Sequence, residues 1–169
     1  DNTSTDTQAL SIEVSDLAAE IQKSEPIGHW RFSEAAGAAQ ALDSSGNGLH
    51  GTYSGSGWAL GQPGLGAGDT SALHAGADST RVTVADQTGL DVTNVSIEAL
   101  IRLNPMGHQG RILERSADSV GGTQSVYGLS VDSARKVRFE IKTSSDVKEL
   151  VGQSILPLNV PAHIVGTYD

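Results

Sequence analysis

Apolar and polar residues alternate along much of the chain after Pro26, which is the pattern of β-strands with one buried face. The clearest run covers residues 95–103, where every odd-numbered position is apolar and Leu100 alone breaks the alternation. A second run covers residues 137–142, with charged residues on its other face. Weaker runs predict further strands at residues 27–33, 81–84, 111–116, 126–131 and 163–168.

Glycine-rich or Asp/Asn-rich segments separate these predicted strands, notably at residues 43–48, 61–68 and 119–122. Such residues favour turns because they tolerate backbone conformations that other residues avoid. Many short strands joined by turns, with no helices between them, predict an antiparallel sandwich or barrel. The residues 61–68, which include Pro63, are expected to form a surface loop in either architecture.

Before Pro26 the apolar residues recur with a different period. Leu10, Val14, Leu17 and Ile21 recur every three or four residues, which places them on one stripe of a short helix that ends before the proline. A helix of barely two heptads needs a packing partner in water. That partner is either the chain's own β domain or further copies of the helix in a coiled coil, with a homotrimer favoured among the oligomers.

The acidic composition limits the classes of partner. Asp and Glu number 20 against 11 Lys and Arg, and the net charge of -9 repels phosphate backbones and anionic lipids. No apolar run approaches the roughly 20 residues of a membrane-spanning helix. We therefore expect neither nucleic-acid binding nor membrane insertion. The length predicts one domain at residues 27–169, preceded by a polar tail and helix at residues 1–26.

The patterns that accompany catalysis do not occur in the sequence. There is no cysteine and no Gly-x-Ser-x-Gly motif, and the five histidines are scattered. Glycosidases built on a sandwich need paired carboxylates, but no second acid lies two or four residues from Glu98. We therefore predict that the chain is not an enzyme.

Several short motifs follow one another in a distinctive order after Pro26. They are Trp30-Arg31-Phe32-Ser33-Glu34, Gly37, Asp43-Ser44-Ser45-Gly46-Asn47-Gly48, Gly51-Thr52, Trp58 with Gly61 and Gly64, Ser96-Ile97-Glu98-Ala99, and His163-Ile164-Val165-Gly166-Thr167-Tyr168-Asp169. This order resembles the laminin-G-like, concanavalin-A-like jelly-roll domains of bacterial and phage proteins. The resemblance implies an all-β fold, an antiparallel jelly-roll β-sandwich, preceded here by the short N-terminal helix.

The chain departs from the family at three places. His74-Ala75-Gly76 stands where the family commonly has Phe-Asp-Gly, and Pro161 stands where a Trp usually precedes the final His. The family also continues with further strands after the closing Gly-Thr-Tyr-Asp. We therefore expect the domain at residues 27–169 to be incomplete, either as a fragment or because a neighbouring chain supplies the remaining strands.

The loop at residues 43–48 is the candidate metal site. Carboxylate, amide and carbonyl oxygens are the ligands that calcium prefers, and Gly46 and Gly48 permit a tight backbone. Members of the family often hold calcium near this loop, so the resemblance implies Asp43 and Asn47 as its side-chain ligands. The alternative is an Asx-turn, in which these side chains bond their own backbone.

Aromatic rings are the candidate ligand platform. Trp58, flanked by glycines and serines, and Tyr53 are the rings predicted to stack on a sugar, whereas Trp30 and Tyr168 are expected in the core. The resemblance implies a non-catalytic module on an extracellular or virion surface, such as a fibre or an adhesin, that binds a glycan or a protein. The alternative is a structural decoration or fibre subunit that oligomerises through the N-terminal helix.

Overall fold

The computed structural model describes residues 14–65, 69–76, 79–105, 109–116, 125–142 and 146–169. Within these ranges the chain is mostly β, with several antiparallel sheets and one α-helix, so the predicted all-β class with a leading helix is confirmed. Helix α1 covers Val14–Lys23, and a single 3-10 turn covers Thr88–Leu90. The strands are β1 Gln40–Ala41, β2 Gly51–Ser54, β3 Trp58–Pro63, β4 Thr70–His74, β5 Arg81–Val84, β6 Val95–Arg102, β7 Gly110–Ser116, β8 Ser125–Val131, β9 Val137–Lys142, β10 Val147–Val151 and β11 Pro161–Tyr168.

Helix α1 ends before Pro26, as the sequence predicts. The Ser24 hydroxyl and amide both donate to the Ile21 carbonyl, which satisfies one of the unpaired carbonyls at the end of the helix. Leu17 and Ile21 are both half-buried. Of the other predicted stripe positions, Leu10 and the side chain of Val14 lie outside the described residues.

The C-terminal end of α1 is bonded to the rest of its own chain. The Gln22 side-chain amide donates to the Ser44 carbonyl at 2.7 Å, and it also lies 2.9 Å from His29 Nδ1. These contacts match the interpretation in which the helix packs on its own domain. A coiled coil between copies stays a prediction.

The described chain divides into two compact units. The first unit contains α1, a three-stranded antiparallel sheet in the order β1-β2-β5, and the β3-β4 pair. Its buried apolar residues are few: Ala41, Leu49 and Leu60. Gly51 is required in β2, because a Cβ there would lie 2.2 Å from a methyl group of Val82.

The second unit is a two-layer arrangement of antiparallel strands. One layer is a four-stranded sheet in the order β10-β9-β8-β7, and the other is the pair β11-β6. Side chains from both layers form one apolar core, made of Ile97, Tyr127, Leu129, Phe139, Ile141 and Ile164. The two layers pack closely at Gly166, where an added Cβ would lie 2.3 Å from the Phe139 ring.

Two expectations about the strands and loops are wrong. Residues 27–33 form no strand, because only Trp30 pairs there, as an isolated bridge to Asp43. The turn predicted at residues 61–68 begins too early, since β3 continues to Pro63 and pairs with β4. Backbone pairing with a neighbouring strand extends β3 through residues whose side chains give no strand signal. The turn predicted at residues 119–122 lies outside the described residues.

Candidate functional site

The fold brings the two predicted sugar-stacking rings together. Tyr53 on β2 and Trp58 at the start of β3 have ring centroids 5.0 Å apart and ring planes inclined at 71°. This edge-to-face geometry is the one that aromatic pairs favour. Both rings are half-buried. We call this pair the aromatic corner.

The turn between β2 and β3 positions the rings of the aromatic corner. Gly55 has a φ of +80°, a conformation that glycine adopts without steric cost, and a Cβ there would lie 2.6 Å from a backbone oxygen of Ser79. The Trp58 indole N–H donates back across the turn to the Ser54 carbonyl at 3.1 Å. The indole is therefore oriented by a hydrogen bond to the end of β2.

A carboxylate lies beside the aromatic corner. The Tyr53 hydroxyl donates to Glu34 Oε2 at 2.8 Å, and the Leu42 amide donates to Glu34 Oε1 at 2.8 Å. Burial, together with the adjacent Glu34 carboxylate, raises the pKa of Tyr53 well above its usual range. The phenol therefore stays protonated at physiological pH and acts as the donor to Glu34.

The sequence alone did not associate Glu34 with the rings. Glu34 and Tyr53 are 19 residues apart, and Glu34 follows a segment with no regular pairing. Phe32, two residues earlier, has a φ of +54°, a left-handed conformation that is uncommon for a bulky residue. Backbone strain of this kind is often found where a fold positions a functional side chain.

The candidate metal loop is organised around a buried carboxylate. Asp43 is 9% exposed, and Oδ1 accepts hydrogen bonds from the amides of His29 and Ser45, both at 2.9 Å. Oδ2 accepts from the Ser45 hydroxyl at 2.7 Å and from the Leu49 amide at 2.9 Å. We call this set of bonds the Asp43 hub. It joins segments that lie before and after the loop.

These bonds change the acidity of Asp43. Burial by itself would raise the pKa of the carboxyl, but the hydrogen bonds from His29, Ser45 and Leu49 outweigh it and lower the pKa to about 2. The carboxyl is therefore ionised throughout the physiological range.

The second predicted calcium ligand is bonded through its nitrogen. Asn47 Nδ2 donates to the carbonyls of Ile27 at 2.9 Å and Pro26 at 3.3 Å. The bond from the Ser45 amide to Asp43 Oδ1 is that of an Asx-turn, the alternative to a metal site. Among the described residues, no three His, Asp or Glu side chains are grouped as metal ligands. Calcium binding by Asp43 and Asn47 stays a prediction.

The remaining candidates make contacts of their own. Trp30 is half-buried, and its indole N–H donates to the Leu49 carbonyl at 2.7 Å. Tyr168 is half-buried at the end of β11. Glu98 lies on the exposed face of β6, with Oε1 at 3.1 Å from Nε2 of His163 on β11.

No α-helix in the described part of the chain is both long enough and apolar enough to cross a membrane. Comparison with protein-family models, with curated proteins and with solved structures found no significant match to this chain.

Proposed function

We propose that this protein is a non-catalytic recognition module that binds a glycan at the aromatic corner beside Glu34. The proposal depends on one observation: Tyr53 contacts both the Trp58 ring and the Glu34 carboxylate, on the first unit. Ring faces pack against the apolar faces of sugars, and carboxylate oxygens accept hydrogen bonds from sugar hydroxyls.

The hydrogen bonds of the aromatic corner favour ligand binding over proton transfer as its role. The Tyr53 hydroxyl and the Trp58 indole N–H both donate to groups of the protein, so the rings are fixed in place before a ligand arrives. Preorganised groups lose little conformational entropy on binding. A carboxylate has about four lone-pair positions, and Glu34 accepts one protein bond on each oxygen. Positions therefore remain for sugar hydroxyls.

The wider setting of the module is part of the same proposal. The motif order described above supports a jelly-roll of the laminin-G-like type, and the antiparallel layers of the second unit are consistent with it. The resemblance implies a domain that acts on an extracellular or virion surface, as part of a fibre or an adhesin. The acidic net charge supports a neutral or cationic ligand over an anionic polymer.

A glycan array probed with the intact protein tests the proposal. We expect saturable binding to at least one glycan, and Trp58→Leu should weaken it about tenfold, since a lost aromatic contact is worth about 1 kcal/mol or more. Tyr53→Phe keeps the ring but frees Glu34, so it should change affinity less than Trp58→Leu. Thr52→Ala, an exposed neighbour on β2, is the matched control and should bind as the wild type does.

Two results would count against the proposal. One is binding that Trp58→Leu leaves unchanged, with a normal melting temperature for the variant. The other is an array with no signal, together with a trimer by light scattering that Leu17→Asp converts to a monomer. That second result would favour the structural subunit that oligomerises through α1.

A further inference from the structure

The loop at residues 43–48 contains an Asn-Gly pair that takes no part in the proposed glycan site. Of the five asparagines in the sequence, Asn47 alone precedes a glycine. Asn47 and Gly48 are both exposed and lie outside the helix and the strands. Gly48 has a φ of +73°, and no described atom lies within 4 Å of the place that a Cβ would take. The peptide bond between the two residues is therefore accessible to solvent.

An Asn-Gly pair carries its own reactive groups. The amide nitrogen of the glycine can attack the side-chain carbonyl carbon of the asparagine, because glycine has no Cβ to hinder the approach. A C–N bond forms, and the side-chain nitrogen leaves as ammonia together with the proton of the attacking amide. Water then adds across one C–N bond of the cyclic imide, its hydroxyl to carbon and its hydrogen to nitrogen, which gives aspartate or isoaspartate. The reaction consumes only water.

Three hydrogen bonds hold Asn47 in the loop. Its Nδ2 donates to the carbonyls of Ile27 and Pro26. Its backbone amide donates to Ser45 Oγ at 3.2 Å, and the Ser45 hydroxyl donates to Asp43 Oδ2. Asn47 is therefore connected to the Asp43 hub through one hydroxyl. The side chain must turn towards its own backbone to react, so local opening of these bonds comes first.

We propose that Asn47 is a site of spontaneous deamidation, that the Asp43 hub sets its rate, and that the product detaches the loop from Pro26 and Ile27. The hub sets the rate because it limits how often the loop opens. Deamidation replaces the Nδ2 donor by a carboxylate, which would face two carbonyl oxygens. Both hydrogen bonds are then lost, and acceptors are left opposite one another. The inference does not depend on glycan binding at the aromatic corner.

Incubation of the intact protein in mildly alkaline buffer, followed by tryptic peptide mapping with mass spectrometry, tests the site. Asn47 should convert to a mixture of aspartate and isoaspartate. Conversion should be at least about tenfold faster than at Asn94, which is also exposed but precedes a β-branched valine that hinders the attack. The two asparagines lie in separate tryptic peptides, so Asn94 is an internal control in every sample.

Ser45→Ala tests control by the hub. It removes the hydroxyl that connects Asn47 to Asp43 and should speed deamidation of Asn47 about tenfold. Ser44→Ala, an exposed neighbour in the same loop, is the matched control and should react at the wild-type rate. If Ser45→Ala does not fold, the wild type unfolded in urea replaces it. Asn47 should then react at least about tenfold faster in the unfolded than in the folded protein.

Asn47→Asp tests the consequence of the modification. It should lower the urea midpoint of the first unit more than Asn47→Ala, which loses the same two donor bonds without adding a charge. Tryptophan fluorescence follows the transition, since Trp30 and Trp58 belong to the first unit.

Three results would overturn the proposal. The first is deamidation of Asn47 no faster than that of Asn94. The second is a rate at Asn47 that neither a folded Ser45→Ala variant nor unfolding in urea increases. The third is an Asn47→Asp variant whose urea midpoint equals that of the wild type.

Discussion

The two units of this chain are stabilised in different ways. The second unit has an apolar core shared by two layers, with Leu129 fully buried at its centre. The first unit buries little apolar surface and instead carries the Asp43 hub, in which one ionised carboxylate accepts four hydrogen bonds. The second unit therefore depends mainly on the hydrophobic effect, and the first depends more on charge and hydrogen-bond geometry.

This contrast explains where the candidate glycan site lies. Loops that are held by hydrogen bonds can present polar and aromatic groups without first building a large core beneath them. Glu34 lies in such a loop, and Tyr53 and Trp58 lie on either side of the turn between β2 and β3.

Leu129→Ala should have the largest effect. Removing a fully buried leucine from the core of the second unit should lower the free energy of unfolding by about 2–5 kcal/mol, because it leaves a cavity among the surrounding side chains. Urea denaturation followed by far-UV circular dichroism measures this. Leu150→Ala is the control, since Leu150 on β10 is 69% exposed and its truncation should cost less than about 0.5 kcal/mol. Similar losses in both variants would contradict the assigned core.

Asp43→Asn should destabilise the first unit by about 2–3 kcal/mol. The amide that replaces one oxygen is a donor, and it would face the donors that Asp43 now accepts. Tryptophan fluorescence during urea denaturation reports on this region, because both tryptophans belong to the first unit. Ser44→Ala is the matched neighbour and should be close to neutral. If Asp43→Asn were as stable as the wild type, the Asp43 hub would contribute nothing to the free energy of unfolding.

Acid should weaken the wild type more than Asp43→Asn. The pKa of Asp43 is about 2 when folded and 3.8 ordinarily, so the ionised carboxyl favours folding above pH 3.8. That contribution, about 2 kcal/mol, is lost as the pH falls from 3.8 towards 2. Unfolding free energies measured from neutral pH downwards in both proteins should converge at low pH. Parallel pH curves would exclude Asp43 as the titrating group.

His163→Ala should have the smallest effect, less than about 0.5 kcal/mol. His163 and Glu98 form a pair on the outer face of β11 and β6, with side chains 55% and 46% exposed. Exposed ion pairs are screened by water and salt and contribute little. Thermal melting of the variant beside the wild type measures this. A loss of stability as large as that expected for Asp43→Asn would contradict this. It would mean that the difference in exposure between Glu98 and Asp43 does not decide how much each carboxylate contributes to stability.

The strands that the sequence predicted well belong to the second unit, except β5, which belongs to the first. The predicted bounds 81–84 and 137–142 are those of β5 and β9, and β6, β7, β8 and β11 were predicted within about two residues at each end. In the strands of the second unit one face is buried against the other layer, and apolar residues therefore recur at every second position of the sequence. The short strands β1 to β4 and the exposed β10 bury less and carry no comparable signal.

The candidate site was predicted in part. The sequence indicated Tyr53 and Trp58 as rings that stack on a sugar, and their contact depends on the turn between β2 and β3. Glu34 was noted in the sequence only as the last residue of the motif at residues 30–34, and its bond to Tyr53 spans 19 residues. The loop at residues 43–48 was recognised from its composition, but composition does not distinguish an oxygen that binds a cation from one that accepts amide hydrogens.

The sequence alone was sufficient for local features: the alternation of the strands that bury one face, the loop at residues 43–48 and the end of helix α1 before Pro26. These depend on neighbouring residues, whose spacing decides which face of an element is apolar. The four hydrogen bonds that the Asp43 carboxylate accepts and the position of Glu34 beside the aromatic corner depend on the tertiary structure. Those features join residues far apart in the chain, and only strand pairing and packing of the layers bring them within bonding distance.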